Sequence, residues 1–243
     1  MDPGLLFYLI LLVVAFFYAS VGHGGASGYL AVMALFGLAP EVMRPSALVL
    51  NVIVSSLAFY QYSRRGYFRM SLFLPFAVGS IPASFIGGTI VVDPGIYKQI
   101  LGGLLVVAVL RMLWEIRQKQ IPFRDVQWIW AILIGAGIGL FSGMIGIGGG
   151  IILSPVILLL HWANMKETAA VSALFILVNS LAGLAGLMTA DLQLDTRLVW
   201  MILAAFGGGM AGSYLGARRL GSTWLRYVLA AVLLIAAVKL ILI

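Results

Sequence analysis

Two glycine clusters hold the residues best placed to do chemistry in this sequence. Gly22-His23-Gly24-Gly25-Ala26-Ser27-Gly28 and Gly146-Ile147-Gly148-Gly149-Gly150 each interrupt an apolar stretch, and each leads into a short apolar run, 26–38 and 149–162. At a helix start the first N–H groups lack an intrahelical acceptor, and the aligned peptide dipoles place about half a positive charge there. Glycine lets the backbone curl so that several N–H groups face one point and a ligand can come close. Two such helix starts facing each other suit an oxyanion and need no formal charge. The candidate binding residues are Gly22, His23, Gly24, Gly25, Ala26 and Ser27 in the first cluster, and Gly146, Gly148, Gly149 and Gly150 in the second. Asn51 and Asn179 join them as amides embedded in apolar spans, where a polar group is costly unless paired. Ser46, Ser142, Ser154 and Ser172 are further donors on the same runs.

The ionisable residues narrow the class of ligand. All eight acids lie at span ends or in loops: Asp2, Glu41, Asp93, Glu115, Asp125, Glu167, Asp191 and Asp195. Cation carriers and carboxylate proton relays keep an acid within the membrane, so this pattern argues against a cation substrate. His23 is then the one ionisable side chain at depth. With a reference pKa near 6.5, it is the candidate for taking up and releasing a proton, or for binding the anion when charged. Its counterpart in the second cluster is Ile147, so the site is asymmetric. His161-Trp162 closes an apolar run and reads as interfacial. Cysteine is absent, and no metal site or cofactor is implied.

These residues must be held by membrane-spanning helices. Hydrophobic residues make up 63% of the 243, charged residues 9%, and the mean hydropathy is +1.11. A soluble domain carries about 25% charge, so a cytosolic enzyme, a nucleic-acid-binding domain and a disordered chain are excluded. Continuous apolar runs exclude a β-barrel, whose strands alternate. The runs are 5–21, 26–38, 46–62, 71–91, 97–114, 126–145, 149–162, 169–190, 198–217 and 223–242. Runs 26–38 and 149–162 are too short for a hydrocarbon core of about 30 Å. The first run follows Met1-Asp2-Pro3 without a basic segment, and so reads as a span rather than a leader.

Basic loops orient the chain. Residues 63–69, 111–124 and 218–226, with Lys166, fall on the cytoplasmic side. Of the 15 Lys and Arg, only Arg44, Lys98, Arg197 and Lys239 remain outside, and the N-terminus is external.

The two halves are repeats. The first glycine cluster aligns with the second, Ser46-Ala47-Leu48 with Ser172-Ala173-Leu174, Ser56-Leu57-Ala58 with Ser180-Leu181-Ala182, and Gly79 and Gly87 with Gly208 and Gly216. Equivalent loops carry opposite charge: basic 63–69 against acidic 190–195, acidic 92–95 against basic 217–221. The halves therefore lie upside down relative to each other, as in secondary transporters. The expected fold is an all-α polytopic membrane protein of two inverted-topology repeats, residues 1–120 and 121–243, forming one membrane domain. Each repeat comprises a broken, re-entrant hairpin and three full spans. Gly135, Gly137, Gly139, Gly183 and Gly186 are expected to pack helices closely.

The run Ser142-Gly143-Met144-Ile145-Gly146-Ile147-Gly148-Gly149-Gly150 with Pro155, its weaker copy at 21–28 and the duplicated layout resemble the sulfite exporter TauE/SafE family of membrane transporters. The resemblance covers essentially the whole chain. It implies movement of a small sulfur-containing anion, such as sulfite or a sulfonate, across the bacterial cytoplasmic membrane. The first copy departs from the family pattern through His23 and Ala26-Ser27. The partners implied are a small anion, the lipid bilayer and, through His23, a proton; nucleic acid is not among them. Rival readings are a passive anion channel and a carrier for a neutral or lipidic molecule. A third is an intramembrane serine protease, with Ser27 in Gly25-Ala26-Ser27-Gly28 and His161 as its base.

Overall fold

The computed structural model describes residues 4–93, 124–189 and 195–218, with scattered positions between 95 and 110 and residues 234 and 238. Eight helices are bounded among them: α1 (Gly4–Ser20), α2 (Ala26–Leu35), α3 (Pro40–Ser63), α4 (Met70–Thr89), α5 (Trp128–Ile145), α6 (Gly150–Leu159), α7 (Met165–Leu187) and α8 (Leu198–Arg218). No strand occurs among the described residues. Helices α3, α4, α5, α7 and α8 are each long and apolar enough to cross a membrane. The expected spans 97–114 and 223–242, and the basic loops that flank them, lie largely outside the described residues.

Two helix starts, those of α3 and α7, follow capping chemistry rather than hydropathy. Helix α3 begins at Pro40, six residues before the apolar run, because proline suits the first helical position and Glu41 favours the positive end of the dipole. Helix α7 begins at Met165, ahead of the apolar run. The Asn164 side chain accepts from Lys166 N–H and Glu167 N–H, and Glu167 accepts from Asn164 N–H. This reciprocal box satisfies orphan donors that apolar residues cannot reach.

Small residues let the long helices touch backbone to backbone. On α5, a Cβ at Gly135, Gly139 or Gly143 would strike the carbonyls of Phe76, Ser80 or Ser84 on α4. On α8, Gly208, Gly212 and Gly216 stand in the same relation to Leu12, Phe16 and Ser20 of α1. In both pairs the contacts climb together, so α4 runs parallel to α5, and α1 to α8. Val54 beside Gly209 and Tyr62 clustered with Ala217 make α3 parallel to α8. Leu48 beside Gly183, Asn51 bonded to Ser180 and Tyr62 clustered with Ala169 make α3 antiparallel to α7.

Gly137 differs from the sequence expectation: no atom lies within 4 Å of its would-be Cβ. Residues two apart fall on nearly opposite faces of a helix of 3.6 residues per turn, so Gly137 cannot share the seam of Gly135 and Gly139. The outer faces present Leu5, Ile129, Trp130, Val199 and Trp200, each at least half exposed. In water this would be a large apolar patch; against lipid it is an ordinary surface.

Candidate functional site

The site is built from the two chain breaks. After α1, the N–H of His23 bonds to Tyr18 O at 2.9 Å, and Tyr62 donates its hydroxyl to Ser20 O at 2.9 Å. The chain then turns inward, and α2 starts after Gly25. After α5, Gly146 donates to Ser142 O at 2.8 Å, Tyr97 donates to Ile145 O at 2.9 Å, and α6 starts after Gly149. The residues preceding α2 and α6 are both left-handed, Gly25 with φ 98° and Gly149 with φ 75°, and neither has a side chain to cap its helix. That backbone region is strained for any residue with a Cβ, which explains glycine at both positions.

The two tips meet. A Cβ on Gly24 would lie 2.5 Å from Asn51 Oδ1 and 2.8 Å from Ile176 Cγ2; on Gly148 it would lie 2.5 Å from Asn51 Nδ2 and 2.8 Å from the same Ile176 carbon. Asn51, midway along α3, and Ile176, midway along α7, therefore stand where the tips converge. The Asn51 Oδ1 accepts the N–H of Ala26 at 3.0 Å, so one amide carbonyl caps α2 from a distant helix. Its Nδ2 donates to Ser180 Oγ at 3.3 Å.

His23 ties the first tip to the second half of the chain. Its Nδ1 lies 3.0 Å from Val21 O, and its Nε2 lies 3.0 Å from Ser154 Oγ. Ser154 in turn lies 2.8 Å from Ser172 Oγ and 3.0 Å from Gly150 O. A carbonyl accepts only, so Nδ1 carries a proton and Nε2 of the neutral ring accepts from Ser154. On protonation, Nε2 donates instead and the serine hydroxyl turns to Gly150 O. Both charge states are thus hydrogen-bonded in one arrangement.

Gly22, Gly24, Gly25, Ala26, Ser27, Gly146, Gly148, Gly149 and Gly150 are all buried at these tips. Ser27 shares a 2.8 Å hydrogen bond with the Tyr18 hydroxyl and makes none with His161, which follows the end of α6. Asn179 makes its bonds to α4 and to its own helix. Its Nδ2 donates to Ser80 Oγ at 3.0 Å and to Phe175 O, and its backbone carbonyl accepts from Ser84. Its Nδ2 thus joins the α4–α7 seam.

Three residues here escape a search for polar residues near the glycine clusters. Ile176 stands across the tips from Asn51, but an isoleucine in an apolar run carries no signal. Tyr29 is one turn into α2, with its hydroxyl buried beside Gly25. Arg44 is 8% exposed. It donates to the carbonyls of Gly87, Gly88 and Ile90 near the end of α4, and to Gly143 O near the end of α5. Those carbonyls are the negative ends of two helices, which is why a buried cation is held there without a carboxylate.

The model of the sulfite exporter TauE/SafE family matches residues 7–240. The chain belongs to this family. It is 38% identical over 233 residues to the Probable membrane transporter protein y4hK of Sinorhizobium fredii, covering 94% of each chain. It is 26% identical to the Probable membrane transporter protein YjnA of Bacillus subtilis, covering 90% of this chain and 92% of the relative. A match to the Probable membrane transporter protein MJ0441 of Methanocaldococcus jannaschii is 25% identical over 151 residues, 61% of this chain and 56% of the relative. No solved structure matches. As a TauE/SafE member, the protein is a multi-pass membrane protein, in accord with the five span-length apolar helices among its described residues.

Proposed function

We propose that this TauE/SafE protein is a secondary transporter of a small sulfur-containing anion, sulfite or a sulfonate, across the bacterial cytoplasmic membrane. The observation that carries the reading is the convergence of Gly24 and Gly148 on Asn51 at mid-helix. It brings together the starts of α2 and α6, each with partial positive charge at its first N–H groups. The substrate is held there by backbone N–H groups of the tips, with Asn51 and His23 adjoining.

The halves, residues 1–120 and 121–243, act as inverted repeats of one membrane domain. In support, α3 runs antiparallel to its counterpart α7. The parallel pair α1 and α8 becomes the parallel pair α5 and α4 when the halves are exchanged. Such pairs supply the two states of alternating access. The N-terminus lies outside. With a negative interior, each exported anionic charge gains about 2.3 kcal/mol per 100 mV, so uncoupled movement runs as export. Import requires a co-transported cation, for which His23, satisfied in both charge states, is the handle.

The test is thermal unfolding of purified protein with sulfite, thiosulfate, methanesulfonate, acetate and phosphate, followed by uptake into proteoliposomes. Sulfite or methanesulfonate raises the melting temperature and is carried. A protein stabilised by none of these anions, or equally by all, sinks the reading.

A further inference from the structure

The first tip holds a hydroxyl that the packing does not use. Tyr29 is 0% exposed, and its hydroxyl has no hydrogen-bond partner among the described residues. Buried polar groups are nearly always paired, because an unpaired one forfeits its bonds to water. Tyr29 occupies the first turns of α2, and helical side chains lean toward the helix N-terminus. Its ring end accordingly covers the tip: a Cβ on Gly25 would lie 2.7 Å from both Cζ and the hydroxyl oxygen of Tyr29. Gly25 is the left-handed residue from which α2 starts. The phenol oxygen thus lies against the backbone whose N–H groups open the helix. The nearby hydroxyls of Tyr18 and Ser27 bond each other rather than Tyr29. A phenylalanine would fill the same space, so packing alone does not account for the oxygen.

We propose that Tyr29 is a substrate-binding residue whose O–H donates to one oxygen of a sulfur oxyanion bound at the start of α2. The proposal rests on the anion reading above and adds a side-chain donor to it. Backbone N–H groups and a phenol side by side suit an anion with several oxygens, and a sulfite or a sulfonate headgroup satisfies both. A halide can accept from both donor types, but only at one centre, so chloride is the comparison for negative charge without separate oxygens.

The experiment uses full-length protein in detergent, wild type and Tyr29→Phe, titrated with sulfite, methanesulfonate and chloride and followed by melting temperature. The unliganded variant melts at or above the wild-type temperature, because only an unpaired hydroxyl is lost. Its apparent affinity for sulfite or methanesulfonate falls about 10-fold or more, the scale of a hydrogen bond to a charged group, and by a larger factor than its affinity for chloride. Wild-type affinity in Tyr29→Phe would overturn the proposal and leave the anion reading standing. A lower melting temperature of the unliganded variant would overturn it too, by showing that the hydroxyl is bonded within the protein. A wild type that responds to neither sulfur anion would overturn both.

Discussion

Asn51 sets the electrostatics of the cradle with one side chain. Its carbonyl caps α2 through Ala26 N–H, and its amide N–H group faces Gly148 and Ser180. A carboxylate in its place still accepts from Ala26 and sits favourably at a helix start, but it puts permanent negative charge where the substrate would lie. Asn51→Asp is therefore expected to fold and insert while losing anion-induced thermal stabilisation. If this variant is stabilised by sulfite as strongly as wild type, the tips do not form an electrostatic site. Ile176 faces Gly24, Gly148 and Gly150 from the opposite helix, so the cradle has one polar and one aliphatic wall.

At the scale of helices, packing depends on which glycines share a face. Gly139 meets the Ser80 carbonyl backbone to backbone, whereas Gly137, two residues earlier, meets nothing within 4 Å. Gly139→Ala must push α4 from α5 and is expected to lower the melting temperature and the folded yield. Gly137→Ala adds a methyl on an open face and gains helix propensity of about 1 kcal/mol, so its stability is equal or higher. Equal effects of the two substitutions in a thermal-unfolding assay would mean that the seam is not close-packed. Arg44 joins the same seam from α3, drawing the last carbonyls of α4 and one of α5 onto a single guanidinium.

For the whole molecule, the proposed orientation is checked by labelling, because the sequence has no cysteine. Arg65 and Val91 are exposed at opposite ends of α4. Val91→Cys is expected to react with a membrane-impermeant thiol reagent added to intact cells, and Arg65→Cys only after permeabilisation. The reverse pattern would invert the topology. If both sites react from one side, α4 does not cross.

Most of the architecture could be read from composition and periodicity. Long apolar runs predict spans because an unpaired backbone cannot face lipid, and the described helices follow those runs to within a few residues, except at α3 and α7. There the start lies in polar sequence, Pro40 with Glu41 and Asn164 with Glu167, where capping outweighs hydropathy. The glycine clusters were legible as breaks because glycine is costly within a helix. What the sequence alone determined is therefore the helical class, the two breaks and the residue types around them. Which side chains converge was decided by tertiary structure, since the faces that meet depend on how helices far apart in the chain cross. For that reason Asn51 caps α2, Asn179 turns to Ser80, Gly137 faces outward, and Ile176 and Tyr29 stand at the tips.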